Sequence, residues 1–195
     1  MTQRCEWAKS APDYIVYHDI EWGQPIRDER QLFERISLEA FQSGLSWLTV
    51  LRKRDAFRRA FNDFDPVVVA HFDEKKIEQL LDDASIIRHR AKIEACINNA
   101  RVLNEQHALH GPTWLVSTLA AAAPTEASLR AQGFRRPAMS VTDLPSATEE
   151  TQRLAQDLKA VGMRFLGPTT LYAALQAAGF VHDHVLGCHL YAENR

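Results

Sequence analysis

Gly162-Met163-Arg164-Phe165-Leu166-Gly167-Pro168 is the stretch on which the fold turns. The six residues from Gly162 to Gly167 are too few for a helix, yet helical signals stand on both sides. Upstream, Ser146-Ala147-Thr148-Glu149 has the spacing of a capping box and predicts a helix running to Gly162 with Leu154, Leu158 and Val161 facing inward. Downstream, Pro168 suits a first helical position, and Leu171, Ala174, Leu175 and Ala178 carry the pattern on to Gly179. The segment therefore reads as helix, hairpin, helix. Such a turn can simply join two core helices, or its backbone N–H groups can hold a phosphate at the start of the second helix.

Outward from the hairpin, almost every segment reads as helix. Leu32, Phe33, Ile36 and Ala40 recur at helical spacing, and Ser46 suits the N-cap of a stretch carrying Leu48, Leu51, Ala56 and Phe57. Two helices are expected to meet near Gly44. Asp65-Pro66 and Asp73 are further N-cap signals. A longer pattern runs from Ile86 to Leu103 with Arg88, Arg90, Lys92 and Arg101 on its polar face, and Gly111-Pro112 stops it. The stretch from Ala120 to Leu144 predicts an irregular connection. No sustained alternation competes, so the expectation is an all-α chain, 1–195 forming one domain with room for two helical lobes.

Composition agrees. With 195 residues, 46% apolar and 25% charged, the chain can bury a core, which excludes disordered, collagen-like and disulfide-framework classes. No run approaches the ~20 apolar residues of a membrane span, and the first residues lack a signal-peptide pattern, so a cytoplasmic protein without membrane partners is expected. The net charge of −2 neither favours nor excludes nucleic acid; what matters is where Lys and Arg gather, as in Arg52-Lys53-Arg54, Arg58-Arg59 and Arg88 to Lys92. Solvated helix faces are the plainer account of those runs.

Three sets of residues could carry chemistry. Cys5 and His18 near one end, with His184 and Cys188 near the other, make a Cys₂His₂ set suited to tetrahedral zinc, although spacing alone favours two buried cysteines and unrelated histidines. Trp7, Tyr14, Tyr17, Trp22 and Trp47 crowd the first quarter of the chain, as a core would or as a surface that stacks a base. Glu39 sits among Ile36, Leu38, Ala40 and Phe41, where a buried charge is costly unless it binds a ligand or pairs with a nearby Arg.

Taken together these stretches closely resemble the 3-methyladenine DNA glycosylase I family of the helix-hairpin-helix glycosylase superfamily. The resemblance rests on Arg4-Cys5-x-Trp7, Tyr14-x-x-Tyr17-His18-Asp19-x-Glu21-Trp22-Gly23, Leu38-Glu39, Gly44-Leu45-Ser46-Trp47-x-Thr49-Val50-Leu51, Arg88-His89-Arg90-x-Lys92-Ile93 and Asp183-His184-x-x-Gly187-Cys188. Only the region from about Gly111 to Leu144 lacks a counterpart. The resemblance implies one structural zinc on Cys5, His18, His184 and Cys188, tying the ends of the chain together. It implies that Glu39 and Tyr17 hydrogen-bond a flipped 3-methyladenine, that Trp47 stacks on it, and that Trp7, Tyr14 and Trp22 wall the pocket. Leu45, beside Gly44, is implied to fill the gap in the duplex, and Gly162, Arg164 and Gly167 to hold the DNA backbone.

Departures accompany the match. Where much of the superfamily has a catalytic Asp two residues before the histidine after the hairpin, this chain has His182; Asp183 is the nearest carboxylate and is not expected to be the base. Glu39 is the one carboxylate nominated for catalysis. Ala40 stands where a glycine is expected after the glutamate, and Met163 replaces a hairpin phenylalanine. The expectation is a monomeric, monofunctional glycosylase acting on double-stranded alkylated DNA and releasing 3-methyladenine. No lyase step is expected, since no Lys lies in the aromatic, Glu39 or hairpin segments. Arg164, Arg88, Arg90 and Lys53 are the candidate contributors to DNA affinity, and sequence does not select which of them reach phosphates. The rival readings are a noncatalytic zinc-containing module that binds damaged DNA, and a helical zinc protein that binds small purines or another protein.

Overall fold

The computed structural model describes residues 2–191. Ten α-helices follow in order: α1 Pro12–Ile20, α2 Glu29–Gln42, α3 Trp47–Ala60, α4 Pro66–Val69, α5 Glu74–Asp82, α6 Arg90–His110, α7 Trp114–Ala121, α8 Glu126–Ala131, α9 Glu149–Ala160 and α10 Pro168–Ala177. Single 3₁₀ turns at Glu6–Lys9, Asn62–Phe64 and Val141–Asp143 join them, and the described residues contain no strand. None of these helices is long and apolar enough to cross a membrane.

Local chemistry sets the helix ends. Asp28, Ser46, Asp65, Asp73, Thr125 and Thr148 each accept a backbone N–H of the first turn of the helix they open. The capping box before α9 is thus Thr148 with Thr151, two residues beyond the Ser146 and Glu149 that the spacing suggested. The long helix α6 starts at Arg90, with His89 as its cap, and continues past Leu103 to His110, where Gly111 at φ +96° ends it. The connection expected to be irregular carries α8, and its later part returns to the site described below.

Helix α10 packs between α2 and α9, while α6 packs on α2, α4, α5 and α7. Burial of Phe33, Ile36, Phe41, Phe57, Phe61, Ile93, Ile97, Leu171 and Leu175 forms the main core, at roughly 1.5–3 kcal/mol for each large side chain. The C-terminal ends of both hairpin helices close as Schellman turns. After α9, Gly162 N–H donates to Lys159 O at 3.0 Å and Met163 N–H to Leu158 O at 2.9 Å; after α10, Gly179 and Phe180 donate to Gln176 and Leu175. Gly179 also permits a close approach, because a Cβ there would stand 2.6 Å from Gly23 O. The segment from Gly23 to Ile26 is thereby locked on the end of α10, with Ile26 N–H donating to Ala178 O at 3.1 Å.

Candidate functional site

α2 delivers Glu39 and α1 delivers Tyr14 and Tyr17 to one cavity of about 370 Å³, which Trp7, Trp22, Trp47, Gln42, Val141, Leu144, Ala173 and Gln176 also line. All six residues nominated for the base pocket are therefore together. Val141 and Leu144 come from the stretch that carried no sequence signal, and Ala173 and Gln176 come from α10. Trp47 lies at the first position of α3, just past the Ser46 cap, and Tyr14 fixes that end by accepting Leu48 N–H at 2.8 Å. The walls are mutually packed: Trp7 stands edge-on to Tyr14 and Trp22 at 5.6 and 5.2 Å, and Tyr17 lies 5.5 Å from Trp47.

Two polar groups at this cavity have no hydrogen-bond partner among the described residues. The Glu39 carboxylate, 6% exposed, accepts none, and the buried Trp47 Nε1 donates none. Burial pushes the Glu39 carboxyl up to about 7, against the opposing pull of Arg35, whose Nη1 stands 4.0 Å from Glu39 Oε1. Arg35 is the residue that the sequence reading left unnamed. It is buried one turn before Glu39, donates to the Tyr17 hydroxyl at 2.9 Å, and lies over the Tyr17 and Trp47 rings at 5.5 and 5.3 Å. The i, i+4 spacing of Arg35 and Glu39 was the available signal. Burial raises the Tyr17 pKa, so the phenol stays protonated.

Behind the aromatic wall sits a cluster of four side chains that could hold a metal ion. Ligand atoms of Cys5, His18, His184 and Cys188 all lie within 4.8 Å of one another, and all four residues are buried. Cys188 Sγ is 3.4 Å from His18 Nε2 and 3.6 Å from His184 Nδ1, and Cys5 Sγ is 3.7 Å from His184 Nδ1. A tetrahedral ion with its usual Zn–S and Zn–N lengths would need S···N edges of about 3.6 Å, so the donor set fits. His18 Nδ1 is engaged by Asp19 Oδ1 at 2.8 Å, which turns Nε2 toward the cluster, and Arg4 in turn grips Asp19. Burial lowers both imidazole pKa values, His184 to about 3, and so keeps the rings in the neutral form that binds metals. Trp22 joins cluster to cavity, 4.7 Å edge-on from His184 and stacked 6.3 Å from His18.

The residues nominated for DNA occupy two further surfaces. Gly44 at φ +82° turns the chain after α2 and presents Leu45, 44% exposed, at a cleft that shares Glu39, Gln42 and Ala173 with the main cavity. Gly162, Arg164 and Gly167 line a separate groove along the hairpin, with Lys159 beside them. Arg164 and Arg88 are exposed, and no ion pair holds them among the described residues. The other two candidates are engaged within the chain: Arg90 pairs with Glu74 and Glu78, and Lys53 Nζ donates to Ala84 O and Ser85 O at 2.9 and 3.0 Å. Arg54 is paired with Glu21, and Arg58 with Glu34. Much of the basic patterning is therefore internal pairing.

Asp183 is buried, paired with Arg136 and accepting from Tyr172 OH and Gln176 Nε2, each at 2.7 Å. Ala40 and Met163, two of the departures, are both buried. Lys92 is closer to the site than its sequence position suggests. It approaches the end of the Glu39 helix, but its ammonium is taken up by the Phe41 and Ser43 carbonyls, and no lysine lines the aromatic cavity.

With this arrangement in place, three likenesses bear on it. The chain is 41% identical to DNA-3-methyladenine glycosylase 1 of Escherichia coli K12 over 99% of both chains. Its fold matches a crystal structure of 3-methyladenine DNA glycosylase I with a TM-score of 0.86 and 41% identity, covering 96% of this chain and 98% of that one. It also matches a tyrosine-to-phenylalanine variant of 3-methyladenine DNA glycosylase I in complex with 3-methyladenine, at a TM-score of 0.83 and 32% identity over 95% and 96% of the two chains. The model of the methyladenine glycosylase family spans residues 7–191. The chain belongs to the methyladenine glycosylase family.

Proposed function

We propose that this chain is a monofunctional DNA glycosylase that flips 3-methyladenine out of double-stranded alkylated DNA and hydrolyses its N-glycosidic bond. One observation carries the reading: an aromatic cavity roomy enough for a purine holds a buried carboxylate, Glu39, with no hydrogen-bond partner of its own. Such a group is costly to bury and becomes favourable opposite a cation. Adenine methylated at N3 within DNA is that cation. Glu39 accepts from its edge, the Tyr17 hydroxyl donates, and Trp47 stacks on a face whose positive charge strengthens the contact. Trp7, Tyr14 and Trp22 exclude water and unmethylated alternatives by shape.

The chemistry asks little more. The bond between the sugar C1′ and the base nitrogen breaks with its electron pair leaving on the base, which departs neutral and needs no proton. Water adds at C1′ and loses a proton, leaving an abasic site. Glu39 is the catalytic residue, stabilising positive charge on the sugar as the bond lengthens. Without a lysine at the cavity, no Schiff base forms and the strand is not cleaved.

Leu45 fills the space vacated by the flipped nucleotide. The hairpin from Gly162 to Gly167 holds phosphates through backbone N–H groups at the start of α10 and through Arg164, with Arg88 as a further exposed cation. DNA affinity therefore falls steeply with salt despite the acidic net charge. Cys5, His18, His184 and Cys188 would hold one zinc ion, a closed four-ligand site whose contribution is structural, because no position is left for water. The chain acts as a single-domain monomer in the cytoplasm. Incubating methylated duplex DNA with the protein and identifying the released base tests the reading; binding without release would favour the noncatalytic module instead.

A further inference from the structure

The motif Arg88-His89-Arg90-x-Lys92-Ile93 has no part in the base pocket, yet α6 reaches both surfaces assigned to DNA. Lys92, 7% exposed, donates from Nζ to Phe41 O at 2.9 Å and to Ser43 O at 2.5 Å. These carbonyls end α2 immediately before Gly44 and Leu45, and helix-terminal carbonyls need donors from elsewhere. A desolvated ammonium facing only carbonyls is an expensive cap, and burial lowers the Lys92 pKa accordingly. Seven residues on, Asn99, 3% exposed, pairs with the backbone of Arg164: its Oδ1 accepts Arg164 N–H at 2.7 Å and its Nδ2 donates to Arg164 O at 2.9 Å. Asn98 adds a bond to Gly162 O at 2.8 Å. At the start of the helix, His89 caps the Lys92 N–H and stands edge-on to Phe165 of the hairpin. Residues seven apart share a helix face, about 10.5 Å along its axis.

On the glycosylase reading above, we propose that Lys92 and Asn99 are positioning residues that hold the Leu45 turn and the hairpin at a fixed spacing. Insertion into the duplex and grip on its backbone then occur in one docking pose. Neither residue touches the base. Lys92 acts through Leu45 and Asn99 through the backbone of Arg164, so their loss reduces work on duplex DNA and spares the pocket.

The test compares single-turnover release of 3-methyladenine from methylated duplex with titration of free 3-methyladenine followed by tryptophan fluorescence. Lys92→Met and Leu45→Ala are each expected to lower duplex release by about tenfold or more, with free-base affinity held within about twofold. The double variant is expected to be no slower than the slower single one, and Lys92→Arg to recover most of the rate. Multiplicative losses in the double variant, or free-base affinity falling in step with release, would overturn the role of Lys92 as a positioner of Leu45. Asn99→Asp keeps the acceptor for Arg164 N–H and removes the donor, so it tests the other half in a chain with an intact α2 end. It is expected to weaken duplex binding with free-base affinity unchanged, and wild-type duplex binding would overturn the proposal. Wild-type protein that binds methylated duplex but releases no base would overturn the glycosylase reading, and the proposal with it.

Discussion

The Arg35 guanidinium donates to the Tyr17 hydroxyl at 2.9 Å while standing 4.0 Å from the Glu39 carboxylate. Guanidinium has no acceptor, so the phenol oxygen accepts there and its own proton is left for a ligand. The same cation lies over the rings of Tyr17 and Trp47. One buried arginine thus orients the phenol, packs against Trp47 and tempers the charge of Glu39.

That relationship sets a pH profile. Burial pushes the Glu39 carboxyl up to about 7 in the free protein, and in the proposed mechanism the cationic base is met by its ionised form. The kcat/KM for 3-methyladenine release is expected to fall about tenfold per pH unit below about 7 and to level off above it. Arg35 pulls the Glu39 pKa down, so Arg35→Met should move the midpoint to higher pH, and Arg35→Lys should move it less. A pH-rate series on the three proteins checks this; an unmoved midpoint in Arg35→Met would separate Arg35 from Glu39.

Glu39→Gln should separate activity from stability. Loss of the carboxylate is expected to slow single-turnover release by about 10²-fold. The folded pKa of about 7 lies above the unfolded value of 4.5, so the carboxyl stabilises the fold fully below the unfolded value, and that stability is lost as pH rises through about 7. Glu39→Gln should therefore raise the Tm of the free protein by a few degrees at pH 8 and leave it unchanged at pH 4. Thermal scans at both pH values read the sign directly.

Trp47→Ala acts on capture. Loss of its stacking face is expected to weaken free 3-methyladenine by about 1–3 kcal/mol, with zinc content unchanged. Isothermal titration measures it, and affinity equal to that of the unsubstituted protein would place the base against another wall of the cavity.

Metal analysis should find one zinc per chain, and Cys188→Ser should abolish it. Removal of the ion by a chelator is expected to lower Tm by on the order of 10 °C. It should also loosen the cavity, because Trp22 packs on both His18 and His184. Equal metal content in Cys188→Ser would refute the ligand set.

The helical fold was largely legible in the sequence because its signals are local: Ser46, Asp65, Asp73, Gly111 and Pro168 each mark a helix end where one occurs. The metal cluster was not legible from spacing, since its two halves meet only when the ends of the chain fold together; the family resemblance supplied the grouping. Val141 and Leu144 were missed because an isolated apolar residue in an irregular segment has no periodicity to announce its partner. Sequence shows Arg90 and Lys53 as charges without their neighbours, here Glu74, Glu78 and the carbonyls of Ala84 and Ser85. Lys92 escaped notice for the complementary reason. Its place on a basic face concealed that its ammonium is buried against the end of α2.

The most direct test is to incubate methylated duplex DNA with the purified protein, separate the free bases by chromatography and examine the strands. Release of 3-methyladenine, with abasic sites left in uncut strands and with release lost in Glu39→Gln, is the predicted result. Tight binding with no base released, or release undiminished in Glu39→Gln, would contradict an excision mechanism centred on Glu39.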